Sequence, residues 1–389
     1  MRRFNSTKAL LAGVLAILGH GGVAAAAHAE DKPSVIRISF PGVGVGGRPY
    51  SSGSALANAH LRGTMEEEFK KDGIPIQWTF LRGAGPAVNE LFANDLIDFS
   101  SLGDLPSVIG RASGLKVKVV SGQSVRGNIY VAVPASSNVQ SISELKGKRV
   151  AVQKGTATHL AGIKLLEKFG LKEKDVRLMN MDTVTAAAAL ATGDIDAALG
   201  STDYLRQRDQ GVARIVYTTR GGDPAQTSNS SFVASEKFIY RYPELTVRVL
   251  KVLVKESKWL ADASAVQVFQ LWTKSGTTFS SFREDLQGED FKYRYSPLLD
   301  PFHAARYNLQ ITEAKRLGLT RNTFDYNAWI EPKFLKQALR ELNLEDYWQP
   351  RGHDGKPDKP DSTRAQAPAP AAVQAAQLQP SQAAAPAGG

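Results

Sequence analysis

Gly155 and Thr156 form the segment of this sequence that is best suited to bind an anion. They lie between a predicted strand and a predicted helix, and the first N–H groups of a helix are unpaired and carry partial positive charge. An oxyanion at this place would accept from these groups, and the hydroxyls of Thr156 and Thr158 would be extra donors. The alternative is that both threonines serve as helix caps.

Two more connections of this kind lie earlier in the chain. Gly85 and Pro86 open a predicted helix, and proline is well tolerated in the first turn. Gly103 and Asp104 follow another predicted strand. Asp104 would order a ligand cleft or accept from a cationic group of the ligand, and its alternative role is that of a helix cap.

A glycine-rich loop follows the first predicted strand. Residues 42–47 satisfy the G-x-G-x-x-G pattern of dinucleotide-binding loops. However, Arg48 and Pro49 interrupt the entry into a helix, and the second strand ends at Leu81-Arg82 without the acid that binds the ribose. We therefore interpret the loop as the lining of an anion pocket or as a plain surface loop. Arg48 is either a bidentate donor to the anion or a solvated arginine.

Little else in the sequence points to chemistry. Gln123 and Asn229 flank two strands that are expected to cross between lobes, which makes them candidate polar residues of a cleft. His159 lacks a second histidine at i, i+4, so we predict no metal and no cofactor. There is no G-x-S-x-G, H-E-x-x-H or P-loop motif and no cysteine, and we therefore predict that the protein is not an enzyme.

The elements that position these residues alternate between short apolar strands and amphipathic helices. Strands are predicted at 35–40, 76–81, 97–100, 117–120, 128–133, 149–153, 195–199 and 214–217, and helices include 55–70 and 243–261. This alternation is typical of a mostly parallel sheet covered by helices. Because the pattern restarts near Asn128, it predicts two successive α/β lobes.

The two ends of the chain differ from the middle. The first residues combine three cations, an apolar run from Ala9 to Leu18 and a small-x-small site that ends at Ala29. These features predict a signal peptide over residues 1–29, cleaved after Ala29, and hence a periplasmic protein. Residues 351–389 are rich in Ala, Pro and Gln, and we predict a flexible tail because such a composition buries too little apolar surface to fold.

The middle of the chain is expected to hold one discontinuous lobe and one inserted lobe. The first comprises residues 30–125 and 219–350, and the second comprises residues 126–218, with the two crossing segments acting as a hinge. The chain has 48 Lys and Arg against 38 Asp and Glu, but the positive charge is dispersed and no nucleic-acid-binding motif is present. We therefore predict no nucleic-acid partner and a mild preference for anionic ligands.

Several segments together resemble the solute-binding proteins that serve ABC importers for aliphatic sulfonates. The similarity extends from about Val35 to Trp348 and rests on the order and spacing of five stretches, which are 83–86, 97–104, 143–152, 155–159 and 189–197. The wider family also serves taurine, nitrate and related anions. The resemblance implies a two-lobed type II periplasmic-binding-protein fold of the α/β class, with the ligand in the cleft between the lobes. It also implies an ABC permease as partner, and we expect a monomer.

The resemblance is partial around the aspartate of the second lobe. Family members often carry an aromatic pair there, whereas this chain has Thr202 and Asp203 followed by Tyr204. We take Thr202 and Asp203 as ligand-binding candidates, and Tyr204 as an aromatic wall or a core residue. The ligand implied is a small organic anion, with an aliphatic sulfonate preferred over taurine or nitrate.

Two other classes of function remain open from the sequence. The fold that the resemblance implies is also that of pyrimidine-precursor synthases of thiamine biosynthesis, but the export signal and the absence of cysteine disfavour an enzyme of that kind. An exported receptor that signals instead of transporting is the other alternative.

Overall fold

The computed structural model describes residues 32–357. The predicted signal peptide and the part of the predicted tail from residue 358 onward lie outside the described residues. Lys32 and Pro33 belong to a short first unit of the chain. All strands and helices described below belong to the second unit, which begins at Ser34.

Ten strands form two five-stranded sheets in residues 32–357. In chain order the strands are β1 (Ile36–Phe40), β2 (Ile76–Phe80), β3 (Phe99–Gly103), β4 (Val117–Gly127), β5 (Tyr130–Pro134), β6 (Arg149–Val152), β7 (Arg177–Asn180), β8 (Ala197–Gly200), β9 (Ala213–Thr218) and β10 (Ser228–Ser235). The first sheet has the order β2-β1-β3-β10-β4, and the second has the order β7-β6-β8-β5-β9. Both sheets are mixed, because β10 is antiparallel to β3 and β4, and β5 is antiparallel to β8 and β9.

Fifteen α-helices cover these sheets in the described part of the chain. They are α1 (Ala55–Arg62), α2 (Thr64–Phe69), α3 (Ala84–Ala93), α4 (Asp104–Ala112), α5 (Ala157–Lys168), α6 (Thr183–Thr192), α7 (Asp203–Asp209), α8 (Glu236–Arg241), α9 (Pro243–Asp262), α10 (Ala265–Trp272), α11 (Phe279–Leu286), α12 (Phe291–Arg294), α13 (Pro301–Arg316), α14 (Tyr326–Trp329) and α15 (Lys333–Glu341). One predicted helix, 55–70, is broken into α1 and α2. Gly63 lies between them with φ +67°, a left-handed conformation that ends α1.

The inner parallel strands, β1 and β3 of the first sheet and β6 and β8 of the second, have buried apolar residues, as expected of strands that helices cover on both faces. In β1, Ile36, Ile38 and Phe40 are all buried and pack in one core with α9 and α15. Arg37 of the same strand is anchored instead by Asp98, which accepts from its backbone N–H and from its guanidinium. The core of the second sheet is a separate cluster built around β5, β6 and α5.

The chain crosses between the two sheets twice. It leaves the first sheet after β4, forms β5–β9 in the second sheet and returns as β10. The prediction of β4 as 117–120 was too short, because the strand continues to Gly127, which pairs with Ser228 of β10. Arg126 and Gly127 therefore lie in the first sheet, slightly beyond the boundary predicted at residue 125.

The folded part of the chain extends past the predicted start of the tail. Arg351 and Pro357 form an isolated antiparallel bridge, and the Phe302 N–H donates to the Arg351 carbonyl. The Arg351 guanidinium carbon lies 3.7 Å from the centroid of the Tyr293 ring. Residues 351–357 are thus held against α12 and α13, and the predicted boundary at residue 351 was too early. Within residues 32–357, no helix has the length and apolar composition that a membrane span needs.

Candidate functional site

A cavity of about 600 Å³ lies between the two sheets. Its walls are formed by residues that follow the carboxyl ends of six parallel strands, three from each sheet. They include Pro41 after β1, Arg82 after β2, Gly103 at the end of β3, Gln153 after β6, Met181 after β7 and Gly200 at the end of β8. In open α/β sheets, ligands bind outside the carboxyl ends of the strands. The topology therefore makes this cavity the candidate site.

The start of α5 presents backbone donors to the cavity. Thr156 caps the helix, because its hydroxyl donates to the Gln153 carbonyl at 2.7 Å and accepts from the His159 N–H at 3.3 Å. The hydroxyl proton is therefore in use, and the capping role foreseen for Thr156 is the one found. In the described part of the chain nothing accepts from the N–H groups of Ala157 and Thr158. Thr156, Ala157 and Thr158 all line the cavity.

The first sheet contributes a second set of small residues to the wall. Gly85 and Gly103 line the cavity. A Cβ at Gly103 would lie 2.9 Å from the Cβ of Ala157, so these residues let the two halves approach closely. Pro86 and Gly155 do not line the cavity. A Cβ at Gly155 would lie 3.0 Å from Pro86 Cγ, which shows that these two residues meet where the halves touch.

Asp104 and Asn229 are structural and do not reach the cavity. The Asp104 carboxylate accepts from the Leu105 N–H, from the backbone and side-chain N–H groups of Asn229, and from the Gln310 amide. Burial raises the pKa of Asp104, and these donors act against that rise. Asp104 thus joins α4 to β10 and α13, so it orders the region beneath the site.

Three other predicted residues also lie away from the cavity. The Gln123 Oε1 atom accepts from the Leu56 N–H at 3.3 Å, and the residue borders a different cavity of about 790 Å³. Arg48 is exposed, and its guanidinium lies beside Gly276. Thr202 is the N-terminal neighbour of α7 and makes no side-chain cap. The positions of these residues in the chain suggested that they lie at the site, but none of the three lines the cavity.

Helix α7 brings two polar groups to the cavity that have no partner. Tyr204 and Gln207 are 1% and 7% exposed, respectively, and both line the cavity. In residues 32–357 neither the Tyr204 hydroxyl nor the Gln207 amide makes a hydrogen bond. Because both residues line the cavity and their polar groups are not bonded elsewhere, these groups are available to a ligand. Their i, i+3 spacing after β8 is a signal that could have indicated Gln207 from the sequence.

Four charged side chains line the cavity. Arg82 and Arg206 are cationic, and Asp182 and Asp203 are the acids. Burial raises the pKa of Asp182, but hydrogen bonds from Thr185 and Val184 and the charge of Arg82 outweigh burial and leave it lowered. Its charge is thereby used to cap α6.

Asp203 has the opposite shift from Asp182. Burial raises its pKa, and the charge of Arg206 and hydrogen bonds from Thr277 and Ser201 act against the rise. The Thr277 hydroxyl lies 3.5 Å from Asp203 Oδ1. Burial thus disfavours the ionised form of Asp203, unlike that of Asp182.

The remaining wall is apolar and comes mainly from α6. One face of this helix lines the cavity and consists of Val184, Ala187, Ala188 and Ala191, whereas the opposite face packs into the core through Ala186, Ala189 and Leu190. Leu199 and Val212 extend the apolar wall. The exposed face of this helix was not among the predicted site residues.

No metal centre is evident in the described part of the chain. Residues 32–357 contain no group of three or more His, Asp or Glu placed to hold a metal ion. His159 is buried, its Nδ1 atom lies 3.3 Å from the Gly155 N–H, and burial lowers its pKa. It is therefore a packed histidine at the start of α5.

The two mixed sheets with a cavity between them define a two-lobed α/β protein of the periplasmic-binding-protein fold, as predicted. A family model described as NMT1/THI5 like matches residues 69–263. This match spans half of the chain, and the protein belongs to that family.

The chain is also similar in sequence to individual named proteins. It is 29% identical over 210 residues to a protein of Bacillus subtilis (strain 168) provisionally named an aliphatic sulfonates-binding protein. The aligned region covers 53% of this chain and 62% of that relative, which is less than two thirds of the relative's length. This similarity confirms the resemblance to sulfonate-binding proteins inferred from the sequence.

Solved structures share the fold over most of the described chain. A periplasmic sulfonate-binding protein from Methylobacillus flagellatus KT, provisionally assigned to a sulfonate ABC transporter, has a TM-score of 0.69 and 31% identity, covering 82% of this chain and 97% of that chain. The desulfurization enzyme DszB has a TM-score of 0.60 and 19% identity, covering 79% of this chain and 99% of that chain. The likeness to DszB shows a common fold alone.

Proposed function

We propose that this protein is the exported receptor of an ABC importer and that it binds a small organic anion, preferably an aliphatic sulfonate. The observation that carries the proposal is the composition of the interlobe cavity. Unpaired N–H groups at the start of α5 face it together with Arg82 and Arg206, and the apolar face of α6 forms another wall. A charged head group with an organic tail matches these two kinds of surface.

The head group is proposed to bind several donors together and not one cationic side chain alone. The N–H groups of Ala157 and Thr158 carry the partial positive charge of the α5 N-terminus. The Gln207 amide and the Tyr204 hydroxyl supply neutral donors, and Gly85 lets the head group approach the start of α3. A sulfonate has three oxygens to accept from these groups. Sulfonate is the ligand class named for relatives of this chain, and taurine or nitrate remain alternatives.

Closure around the ligand is proposed to occur by a hinge at the two crossing segments. The lobes would be residues 30–125 with 219–350 and residues 126–218. Several contacts between them support a closed form: Gln153 Nε2 donates to the Arg82 carbonyl at 2.9 Å, and Arg316 makes two hydrogen bonds to Glu167, at 2.6 and 3.0 Å. A closed receptor shields the bound anion from water and presents both lobes to a permease.

The site of action is proposed to be the periplasm. Residues 1–29 have the composition of a cleaved signal peptide with processing after Ala29, and relatives of this chain are named periplasmic proteins. The partner would then be the membrane permease of the importer, which receives the ligand from a monomeric receptor.

Binding without catalysis is the preferred interpretation, although an enzyme shares the fold. The chain contains no cysteine, and the hydroxyl of Thr156 is occupied by capping the helix. The polar groups that remain in the cavity are suited to holding an anion. A receptor that signals to a sensor kinase would have the same site, and its gene neighbours would distinguish it from a transport receptor.

The N–H groups of α5 can be tested one at a time. Ala157 is the first residue of α5, where proline fits the helix but lacks the N–H. Since a hydrogen bond to a charged group contributes about 1.5–3 kcal/mol, we expect Ala157→Pro to weaken sulfonate binding by about 10- to 150-fold in calorimetric titrations.

A matched control is available in another helix. Ala265 is the first residue of α10, it is exposed and it does not line the cavity. Ala265→Pro should keep wild-type affinity. Binding of alkanesulfonates with unchanged affinity by Ala157→Pro would refute the site. Failure of the mature wild-type protein to bind alkanesulfonate, taurine, nitrate, sulfate or a carboxylate would refute the function.

A further inference from the structure

One face of helix α6 presents apolar side chains to the cavity, whereas the opposite face packs into the core. Val184, Ala187, Ala188 and Ala191 recur at i, i+3, i+4 and i+7, which places them on one face. Val184 is 52% exposed although it is a large apolar residue. Exposed apolar surface inside a concave site is typical of a ligand contact.

The volume of the cavity indicates a ligand larger than its head group. A cavity of about 600 Å³ lies within the range of about 300–1,000 Å³ that holds drug-sized ligands. The smallest organic sulfonates would leave most of it to water. A second observation comes from α7, whose buried Gln207 and Tyr204 side chains line the same cavity. Their polar groups make no hydrogen bond within residues 32–357, which independently indicates that the cavity contacts a ligand.

We propose that α6 is the specificity-determining wall of the cavity and that the ligand is an organic anion with an extended alkyl or aryl tail. This inference rests on the proposed function. The tail lies along Val184, Ala187, Ala188 and Ala191. Alanine has the smallest side chain with a Cβ, so the three alanines leave space for the tail. A larger residue at any of these positions reduces the length of tail that fits.

The dependence of affinity on tail length follows from the area that the tail buries. Each buried methylene contributes about 0.8 kcal/mol, which corresponds to about a fourfold change in the dissociation constant. Along a series of linear alkanesulfonates, affinity should rise by about this factor per methylene until the tail reaches the end of the wall. Benzenesulfonate should bind more tightly than methanesulfonate.

The test is a calorimetric series from methanesulfonate to octanesulfonate with the mature protein. Ala188→Trp fills the wall along which the tail is proposed to lie, and it should abolish the gain in affinity with tail length. Ala191→Leu is a milder second variant. In this variant the rise in affinity per methylene should stop at a shorter tail than in the wild type. Thr192 is on the same helix but does not line the cavity. The control variant Thr192→Leu should therefore show the wild-type dependence of affinity on tail length.

The outcomes separate this inference from the proposed function. If methanesulfonate and octanesulfonate bind the wild type equally, or if Ala188→Trp keeps the wild-type gain per methylene, α6 does not set specificity and this inference alone is wrong. If no member of the series binds while another anion does, both the sulfonate assignment and the tail wall are overturned. Circular dichroism of each variant shows whether the helix content is kept.

Discussion

The contact between Gly103 and Ala157 offers the sharpest test of closure. Gly103 ends β3 in the first sheet and Ala157 begins α5 beside the second sheet. The φ of Gly103 is −63°, so alanine fits its backbone. The added methyl would lie 2.9 Å from Ala157 Cβ, whereas ordinary contacts of this kind are longer than 3.4 Å. Gly103→Ala therefore forces a shift at this contact, and we expect it to oppose the proposed closure of the two lobes.

The magnitude follows from the cost of overpacking. An extra methylene in a well-packed contact typically costs about 1–3 kcal/mol. In the proposed open form the clash is relieved, so the cost falls on the proposed closed, liganded form and should raise the dissociation constant by about 5- to 150-fold. The assay is calorimetric titration with hexanesulfonate, with thermal unfolding of the ligand-free protein measured in parallel. The melting temperature without ligand should change little.

Two companion variants test the cause of this loss. In Gly103→Ala combined with Ala157→Gly the clashing methyl is removed, and affinity should return to near the wild-type value. Gly85→Ala is the contrasting case, because its methyl would lie 2.3 Å from Pro106 Cβ, where opening of the lobes brings no relief. It should lower the melting temperature of the ligand-free protein. Wild-type affinity for Gly103→Ala, or no recovery in the double variant, would refute the closure argument.

Two predictions concern protonation. Because burial raises the pKa of Asp203 in the cavity wall, this carboxyl holds a proton more tightly in the folded protein than in the unfolded chain. Both the anion affinity and the stability of the ligand-free protein should therefore fall as the pH rises from about 3.8 through the raised pKa. Asp203→Asn should flatten both profiles, and an equal slope in this variant would contradict the assignment. Burial lowers the pKa of His303 to about 3, and its ring nitrogens bond to Ser231 and Tyr326. The unfolded imidazole binds a proton below about pH 6.5, so the free energy of unfolding should fall as the pH is lowered from about 6 to about 4. Measured by urea unfolding, this fall should be steeper in the wild type than in His303→Gln by up to about 1.4 kcal/mol per pH unit. Identical slopes in the two proteins would show that His303 is not the group responsible.

Much of the site could be predicted from short stretches of sequence. Of the predicted ligand-binding residues, Gly85, Gly103, Thr156, Thr158 and Asp203 line the cavity. Each lies where a strand ends and a helix begins. The apolar pattern of the strand, the small residue after it and the start of the helix are neighbours in the chain, so local chemistry reveals the connection and its unpaired N–H groups.

The roles of other residues depended on contacts between distant segments. The partners of Asp104 include Asn229 and Gln310, which lie 125 and 206 residues further along the chain. Arg48, for which the sequence left open an anion donor or a solvated arginine, is exposed, and neither Arg48 nor Gln123 lines the cavity. A side chain's direction depends on what packs around it, which neighbouring residues in the chain do not specify.

The amino-acid sequence by itself determined the α/β class, the restart near Asn128, the resemblance to sulfonate-binding proteins and the strand-to-helix connections that we propose bind an anion, because these are properties of local periodicity and spacing. Only the tertiary structure decided that the carboxyl ends of two separate sheets meet at one cavity, and that the Gln207 amide and the alanine face of α6 belong to it. The physical reason is that a binding volume is enclosed by surfaces from segments far apart in the chain. Their mutual position is set by the packing of the two lobes.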